Sequence, residues 1–147
     1  MKDSIVIKKG VELEIEVQSL AYGGMGLAKV DDFVVFVKNG IPGQRVLVLI
    51  YKKKKGFAEA RIIKVLKQSP LATEARCDHY WICSKLQTLS YEEQLKEKEK
   101  QVVDAFQRIG GFTDFAINRV RSAENKYNYR NKMEFTFSPH RWILESE

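Results

Sequence analysis

The sequence predicts a mainly β fold with an α+β extension, in which a small five-stranded barrel precedes a helix and a partial β-sheet region. Three observations support this prediction. Short apolar runs separated by turn residues fill residues 11–67. Several glycines lie at the ends of those runs, where the backbone must bend sharply. A capped helical pattern begins only after Pro70, so the predicted strands precede the helix in the sequence.

The strands are predicted from the period of the apolar residues. Residues 11–17 alternate apolar side chains with glutamates, which is typical of a strand with one buried face. Residues 33–37 and 46–51 are nearly continuous apolar runs, as in strands that are closed into a barrel or covered on both faces. Residues 27–30 and 57–66 are the other two predicted strands. Five strands within about 55 residues predict a small closed barrel of the oligonucleotide-binding (OB) type.

Three closely spaced glycines, Gly23, Gly24 and Gly26, precede the second apolar run, at residues 27–30. Such a cluster can hold a phosphate, but that interpretation requires a helix directly after the glycines. A strand pattern follows them here, which favours a bend at a corner of the barrel. Residues 39–43, Asn-Gly-Ile-Pro-Gly, give a second dense turn signal before the next strand.

The positive charge is concentrated in the first part of the chain. Residues 1–67 carry 13 Lys and Arg against 7 Asp and Glu, whereas the remaining residues carry 12 of each, so the whole formal excess of +6 is N-terminal. A basic β domain beside a neutral remainder indicates a polyanionic partner, usually nucleic acid. No apolar run approaches the roughly 20 residues of a membrane span, and the first residues lack a signal-peptide pattern, so we expect a cytoplasmic protein without a membrane partner.

Four consecutive lysines lie between the last two predicted strands, at what we expect to be a hairpin tip. They are either a solvated loop or a clamp for phosphates. Aromatic residues nearby, including Phe33 and Phe57, offer faces for base stacking, although a ring that fills the barrel cannot also stack on a base. The predicted contacts to nucleic acid are Lys38, Arg45, Lys52, Lys53, Lys54, Lys55, Phe36 and Tyr51.

The order of these features resembles a known family. An alternating strand, the segment GGMGLAKVDDFVVFVKNGIPGQRV and a basic hairpin together resemble the TRAM domain, an RNA-binding β-barrel, over residues 8–67. TRAM domains recur in tRNA-modifying enzymes and as free-standing proteins. The resemblance therefore implies RNA as the partner, with no specificity for DNA, and does not select a reaction.

The two cysteines, Cys77 and Cys83, lie in a second recognisable segment. Residues 76–91, RCDHYWICSKLQTLSY, resemble the cluster-binding segment of the RNA (uracil-5-)-methyltransferases, whose cysteines hold a [4Fe–4S] cluster. The resemblance places Cys77 and Cys83 at the first two metal ligands, but Ser84 follows where Gly-Gly-Cys is expected. Two thiolates cannot complete a four-cysteine cluster, so we expect this degenerate site to be unoccupied.

Other interpretations of the cysteine segment remain open. His79 offers a further ligand, although a lone histidine beside two aromatic residues is more typical of packing. Without a cluster, the two thiols are either free or paired in a strained disulfide. A small metal or redox protein would account for the cysteines but not for the barrel.

A helix is predicted from Ser90, because Ser at the N-cap with Glu93 three residues later is a capping box. Apolar residues at helical spacing form one stripe up to Ile109, so we expect the helix to be a packing element, with the charged residues 96–100 on its solvated face. Gly110 and its neighbour end it. Residues 115–120 and 132–137 are then predicted as two strands.

These patterns divide the chain into a barrel at 1–67, a degenerate cluster loop at 68–89, and a helix with the start of a central β region at 90–147. Residues 129–135, YRNKMEF, extend the methyltransferase resemblance almost to Glu147, which suggests part of a longer protein. In that family, S-adenosylmethionine and the catalytic residues belong to a C-terminal domain, and no strand, Gly-rich turn and helix unit for such a cofactor occurs here.

The resemblance therefore implies the RNA-binding N-terminal portion of a 23S rRNA or tRNA uracil-5-methyltransferase. We expect no catalytic residue and no cofactor in this chain. The S-adenosylmethionine, and in some members the [4Fe–4S] cluster, would belong to the longer parent. The alternative is a free-standing TRAM-type RNA-binding or RNA-chaperone protein, which would explain the barrel but not the cysteine segment, the helix or residues 129–135.

Overall fold

The computed structural model describes residues 6–78, 80, 84, 86–129, 131, 132 and 134–141. These residues form six strands and one α-helix that continues into a π-helical turn. The elements are β1 (Glu12–Glu16), β2 (Ser19–Leu20), β3 (Gly26–Val30), β4 (Phe33–Lys38), β5 (Arg45–Lys53), β6 (Phe57–Lys67), α1 (Tyr91–Asp104) and the π-helical turn Ala105–Ile109.

The six strands form one sheet that closes into a barrel. Their order is β1-β5-β6-β4-β3-β2, in which β4 and β6 run parallel and all other neighbours are antiparallel. Because β1 and β2 are consecutive in the chain, they act as one bent strand that pairs with β5 first and with β3 afterwards. The Gln18 amide donates to the Leu27 carbonyl at 2.8 Å and continues the second pairing. The predicted five-stranded OB-like barrel is thus confirmed, with its first strand divided by a bend.

The interior of the barrel is filled mainly by β-branched and small side chains. Residues on β4 and β5 alternate between buried and half-buried, as the period of two requires. The central buried cluster contains Ile7, Ile15, Val17, Ala28, Val30, Val35, Val37, Val46, Val48, Ile50, Ala58 and Ala60. Alanines on β6 leave room for the valines and isoleucines that face them.

The glycine cluster leads into β3 and not into a helix, so the phosphate-loop interpretation is wrong. Gly26 lies where the bend after β1 meets the turn between β4 and β5. A Cβ atom at Gly26 would lie 2.8 Å from Val17 Cγ1 and 2.9 Å from the Gly40 carbonyl oxygen. This position therefore needs glycine so that two backbone segments can approach each other.

The segment that follows β6 packs on one end of the barrel. The Ser69 hydroxyl donates to the Pro42 carbonyl at 2.6 Å, and Ala72 pairs with Leu89 in an isolated β-bridge. A second apolar cluster joins barrel and segment, made of Leu20, Ile41, Leu89, Leu71, Ala72 and Leu86. The described part of residues 69–89 is thus attached to the barrel through apolar contacts.

The helix begins as predicted. The Ser90 hydroxyl accepts a hydrogen bond from the Glu93 amide, which satisfies one of the unpaired donors of the first turn. The prediction that α1 is a packing element is wrong for the described residues. No residue of α1 or of the π-helical turn is buried, and Ile109 is 88% exposed. Phe106 of the apolar stripe contacts the rings of Phe112 and Phe115, which follow the helix, at centroid distances of 5.7 and 5.4 Å.

The two strands predicted near the end of the chain do not form in the described residues. Residues 115–120 and the described part of 132–137 are irregular, and Phe135 and Phe137 are 77% and 98% exposed. A strand needs a neighbouring strand to pair its backbone groups, and the described residues provide none beside these two segments. The prediction of a partial β-sheet region is therefore wrong for the described residues. Arg130, Met133 and residues 142–147 lie outside the described residues.

Candidate nucleic-acid interface

The candidate site is the outer face of β4, β6 and β5. Because Val35 and Val37 point into the barrel, Phe36 and Lys38 point outward. The parallel pairing of β4 and β6 places Phe36 opposite Glu59 and Lys38 opposite Arg61. The sheet thus presents aromatic and cationic side chains side by side on one surface.

The aromatic residues of this face are half-buried. The rings of Phe36 and Phe57 meet edge to face, with their centroids 5.5 Å apart. The Tyr51 hydroxyl donates to Glu59 Oε2 at 3.1 Å. Phe33, by contrast, packs against the buried cluster of the barrel. Of the predicted contacts, the structure therefore places Phe36 and Tyr51 outside the core, where bases can reach them.

The four lysines do not act as one group. Lys52 and Lys53 are the last residues of β5, and only Lys54 and Lys55 lie in the turn, so the prediction that all four lie at the hairpin tip is wrong. Strand β5 extends two residues further than the apolar run suggests, because its partner β6 pairs with Lys52 and Lys53.

Both lysines of β5 already have partners within the protein. Lys52 Nζ lies 2.5 Å from Glu59 Oε1, and Lys53 Nζ lies 5.8 Å from the centre of the Phe33 ring. The hydrogen bond from Lys52 holds the pKa of Glu59 below its ordinary value, with a further contribution from Tyr51. Burial raises the pKa of Tyr51, and the hydrogen bond to Glu59 adds to this effect. Glu59 thus places a negative charge in the middle of a face that is otherwise cationic.

Two cations differ from what the sequence predicts. Arg45 begins β5 and forms an ion pair with Glu14 on β1, so it lies at the opposite end of the strand from the lysines. Arg61 is absent from the predicted contacts, although it lies beside Lys38 on the outer face. The alternation of Phe57, Glu59 and Arg61 along β6 is the signal that identifies it.

The structure describes only part of the cysteine segment. Cys77 is an exposed free thiol, and its amide donates to Gln87 Oε1 at 3.1 Å. Cys83 and His79 lie outside the described residues. Within the described ranges, no three His, Cys, Asp or Glu side chains are grouped so as to hold a metal ion. That Cys77 and Cys83 carry no cluster stays a prediction.

Two solved structures are similar to parts of this chain. A conserved protein from Methanococcus maripaludis is 34% identical, covers 40% of this chain and 83% of its own, and has a TM-score of 0.38. The tRNA (uracil-54, C5)-methyltransferase of Pyrococcus abyssi, solved with S-adenosyl-L-homocysteine, is 24% identical, with a TM-score of 0.42. The aligned region covers 67% of this chain and 21% of the methyltransferase chain.

Curated relatives match most of the chain. An uncharacterized RNA methyltransferase of Bacillus cereus is 41% identical over 130 residues, which are 87% of this chain and 28% of the relative. One from Porphyromonas gingivalis is 39% identical over 135 residues, which are 90% of this chain and 29% of the relative. The chain thus spans less than a third of the length of these relatives. Residues 7–63 match the TRAM domain family, and the chain as a whole resembles part of the RNA methyltransferases.

Proposed function

We propose that this chain is the RNA-binding N-terminal portion of an S-adenosylmethionine-dependent RNA uracil-5-methyltransferase that acts on rRNA or tRNA. The TRAM match accounts for residues 7–63. The similarity to RNA methyltransferases extends over 130 residues, well beyond the barrel. A free-standing TRAM protein would not require that extension, so the longer match favours the methyltransferase.

The observation that carries RNA binding is the outer face of β4, β6 and β5. Half-buried rings supply flat surfaces on which unpaired bases stack, and stacking contributes about 1–3 kcal/mol per base. Lys38 and Arg61 lie two residues further along the same strands than Phe36 and Glu59, at a distance suited to the neighbouring phosphate. Rings and cations in this order favour a single strand over a duplex, whose bases are already stacked.

In the proposed enzyme, S-adenosylmethionine supplies the methyl group that is transferred to C5 of uridine. The residues of this chain would hold the RNA and set its direction relative to the rest of the protein. Such positioning contacts fix register through phosphates and stacked bases, and leave the choice of uridine to other contacts.

RNA binding is tested by the anisotropy of a fluorescein-labelled 12-nucleotide single-stranded RNA. Phe36→Leu keeps an apolar side chain but removes the stacking surface, and we expect about 5- to 150-fold weaker binding from the loss of one base stack. Phe112→Leu is the matched control, because Phe112 is exposed and lies beyond the helix. Thermal melting of both variants verifies the fold. Equal affinity of Phe36→Leu and wild type, or no binding by wild type, would contradict the proposal.

The methyltransferase assignment has its own test. The reading frame that encodes this chain should specify a longer protein that transfers a labelled methyl group from S-adenosylmethionine to C5 of uridine in rRNA or tRNA. Nucleoside analysis of the RNA product identifies the modified base. Methylation of another base, or a full-length product without transfer activity, would contradict this assignment and leave RNA binding unaffected.

A further inference from the structure

A cavity of about 380 Å³ lies beside the proposed RNA face. Lys38, Asn39 and Arg61 line it on the barrel side, and Thr73, Tyr80 and Thr88 line it on the side of the segment that follows β6. The volume falls at the lower end of the range of about 300–1,000 Å³ that is typical of small-ligand sites. It is large enough for one nucleotide.

Asn39 provides a polar group that lacks a partner. Its Oδ1 atom is buried and accepts no hydrogen bond from the described residues. Buried polar atoms are nearly always paired, so this unpaired oxygen, on a residue that lines the cavity, lacks a donor in the free protein. Asn39 lies in the turn that follows β4, and its backbone has a positive φ of 60°.

Two cations stand at the same cavity. Lys38 and Arg61 are register partners on parallel strands, so their side chains leave the sheet from adjacent positions on one face. Lys38 also has another interaction within the protein. Arg61 is exposed, and its planar guanidinium can bind two phosphate oxygens at once. The Tyr80 ring on the opposite wall offers an aromatic surface.

We propose that this cavity binds one nucleotide of a single-stranded RNA, which rests on the proposed RNA-binding function and extends it. The phosphate lies at Lys38 and Arg61, and the base lies against Tyr80. The Asn39 amide, whose Oδ1 atom is covered in the free protein, turns toward the nucleotide and accepts from one of its N–H or O–H groups. The cavity follows Phe36 by two to three residues along β4, or roughly 7–10 Å, so both places lie within reach of one short stretch of RNA. A strand stacked on Phe36 therefore continues into the cavity.

The test uses the whole chain and the labelled 12-nucleotide RNA. Asn39→Gly removes the amide and tolerates the positive φ, and we expect about 5-fold weaker binding for the loss of one hydrogen bond, with the salt dependence unchanged. Asn128→Gly is the matched control, because Asn128 also has a positive φ, of 58°, and lies away from this cavity. Arg61→Ala should weaken binding and lower the salt slope by about 0.7. Its control, Lys64→Ala, removes the same charge from β6 outside the cavity.

A direct measurement accompanies the variants. Adenosine, cytidine, guanosine and uridine 5′-monophosphates are titrated into ¹⁵N-labelled protein, and at least one should shift the side-chain amide of Asn39 and the Arg61 Nε–H. If Asn39→Gly binds RNA as wild type does while Phe36→Leu binds weakly, the cavity proposal fails and the RNA-binding function stands. If no mononucleotide shifts Asn39 or Arg61, the proposal fails as well. If wild type does not bind RNA, the proposed function itself is wrong.

Discussion

Gly26 shows how a single residue allows two backbone segments of the barrel to approach each other. Substitution by Ala places a methyl group against Val17 and the Gly40 carbonyl, both closer than ordinary contact distance. Because one of these neighbours is backbone, we expect a loss of stability of about 1–3 kcal/mol. Urea unfolding measures this loss. Gly56→Ala is the control, since a Cβ atom there would have no heavy atom within 4 Å and should change stability by less than about 0.5 kcal/mol. Equal stability of the two variants would show that the close approach is not needed.

Glu59 is the residue whose removal should strengthen RNA binding. Its carboxylate pairs with Lys52 and accepts from Tyr51 in the middle of the proposed RNA face. Glu59→Gln removes the negative charge and releases Lys52 for phosphates, so we expect about 2- to 5-fold tighter binding at low salt. Anisotropy with the same RNA measures the change. Glu16→Gln on β1 removes an equal charge elsewhere and serves as control. Weaker binding by Glu59→Gln would show that Glu59 supports the site.

The same carboxylate predicts a dependence of stability on pH. The pKa of Glu59 in the folded protein is lowered from its ordinary value of 4.5, chiefly by the hydrogen bond from Lys52. The ion pair therefore stabilises the fold above pH 4.5, and its contribution is lost as the pH falls through the lower folded pKa. The difference in melting temperature between wild type and Glu59→Gln should shrink as the pH falls below 4.5. A difference that stays constant down to about pH 3 would contradict this assignment.

At the residue scale, the sequence allows part of the site to be predicted. Successive side chains of a strand point to opposite faces, so Phe36 and Lys38 must lie on one face of β4 while Val35 and Val37 lie on the other. The pairing of Lys52 with Glu59 could not be predicted in this way. It depends on an irregular register between β5 and β6, which a local pattern does not reveal.

At the scale of elements, the turn between β5 and β6 carries two lysines, Lys54 and Lys55, and the positive charge of Lys54 acts on Glu59. Their replacement by Ala should reduce the slope of log affinity against log salt by about 1.4, since each phosphate contact to a single strand contributes about 0.7. Titrations between about 50 and 300 mM KCl, roughly the range over which such slopes are measured, give this value. Lys98→Ala with Lys100→Ala on α1 removes the same charge from the helix. If both double variants lower the slope equally, attraction to RNA is spread over the whole surface.

The strands of the barrel could be predicted because their signals are local. Apolar alternation and turn residues define β1, β3, β4, β5 and β6 without knowledge of their partners. The same alternation at 115–120 predicted a strand that does not form. Whether an apolar run becomes a strand depends on a neighbouring strand, which is a non-local property.

At the scale of the whole molecule, the described residues form a densely paired barrel and, beyond the helix, a segment that is mostly exposed. Strand β5 pairs with β1 on one side and β6 on the other, and its inward residues are fully buried. Residues 111–129 are mostly exposed and are held to α1 by few bonds, such as that from the Ala123 amide to the Tyr91 hydroxyl. Stability is therefore expected to differ strongly between the two parts.

Amide hydrogen exchange followed by mass spectrometry tests this division. Amides of β5 should exchange only through global unfolding, because ladders on both sides and a buried face protect them. Amides of residues 113–119 should exchange near the rate of an unstructured peptide, since no ladder pairs them in the described part of the chain. Strand β3, paired along its whole length with β4 but only briefly with β2, provides an intermediate reference. Slow exchange at 115–120, comparable to that of β5, would show that the strand predicted from the sequence does form in solution.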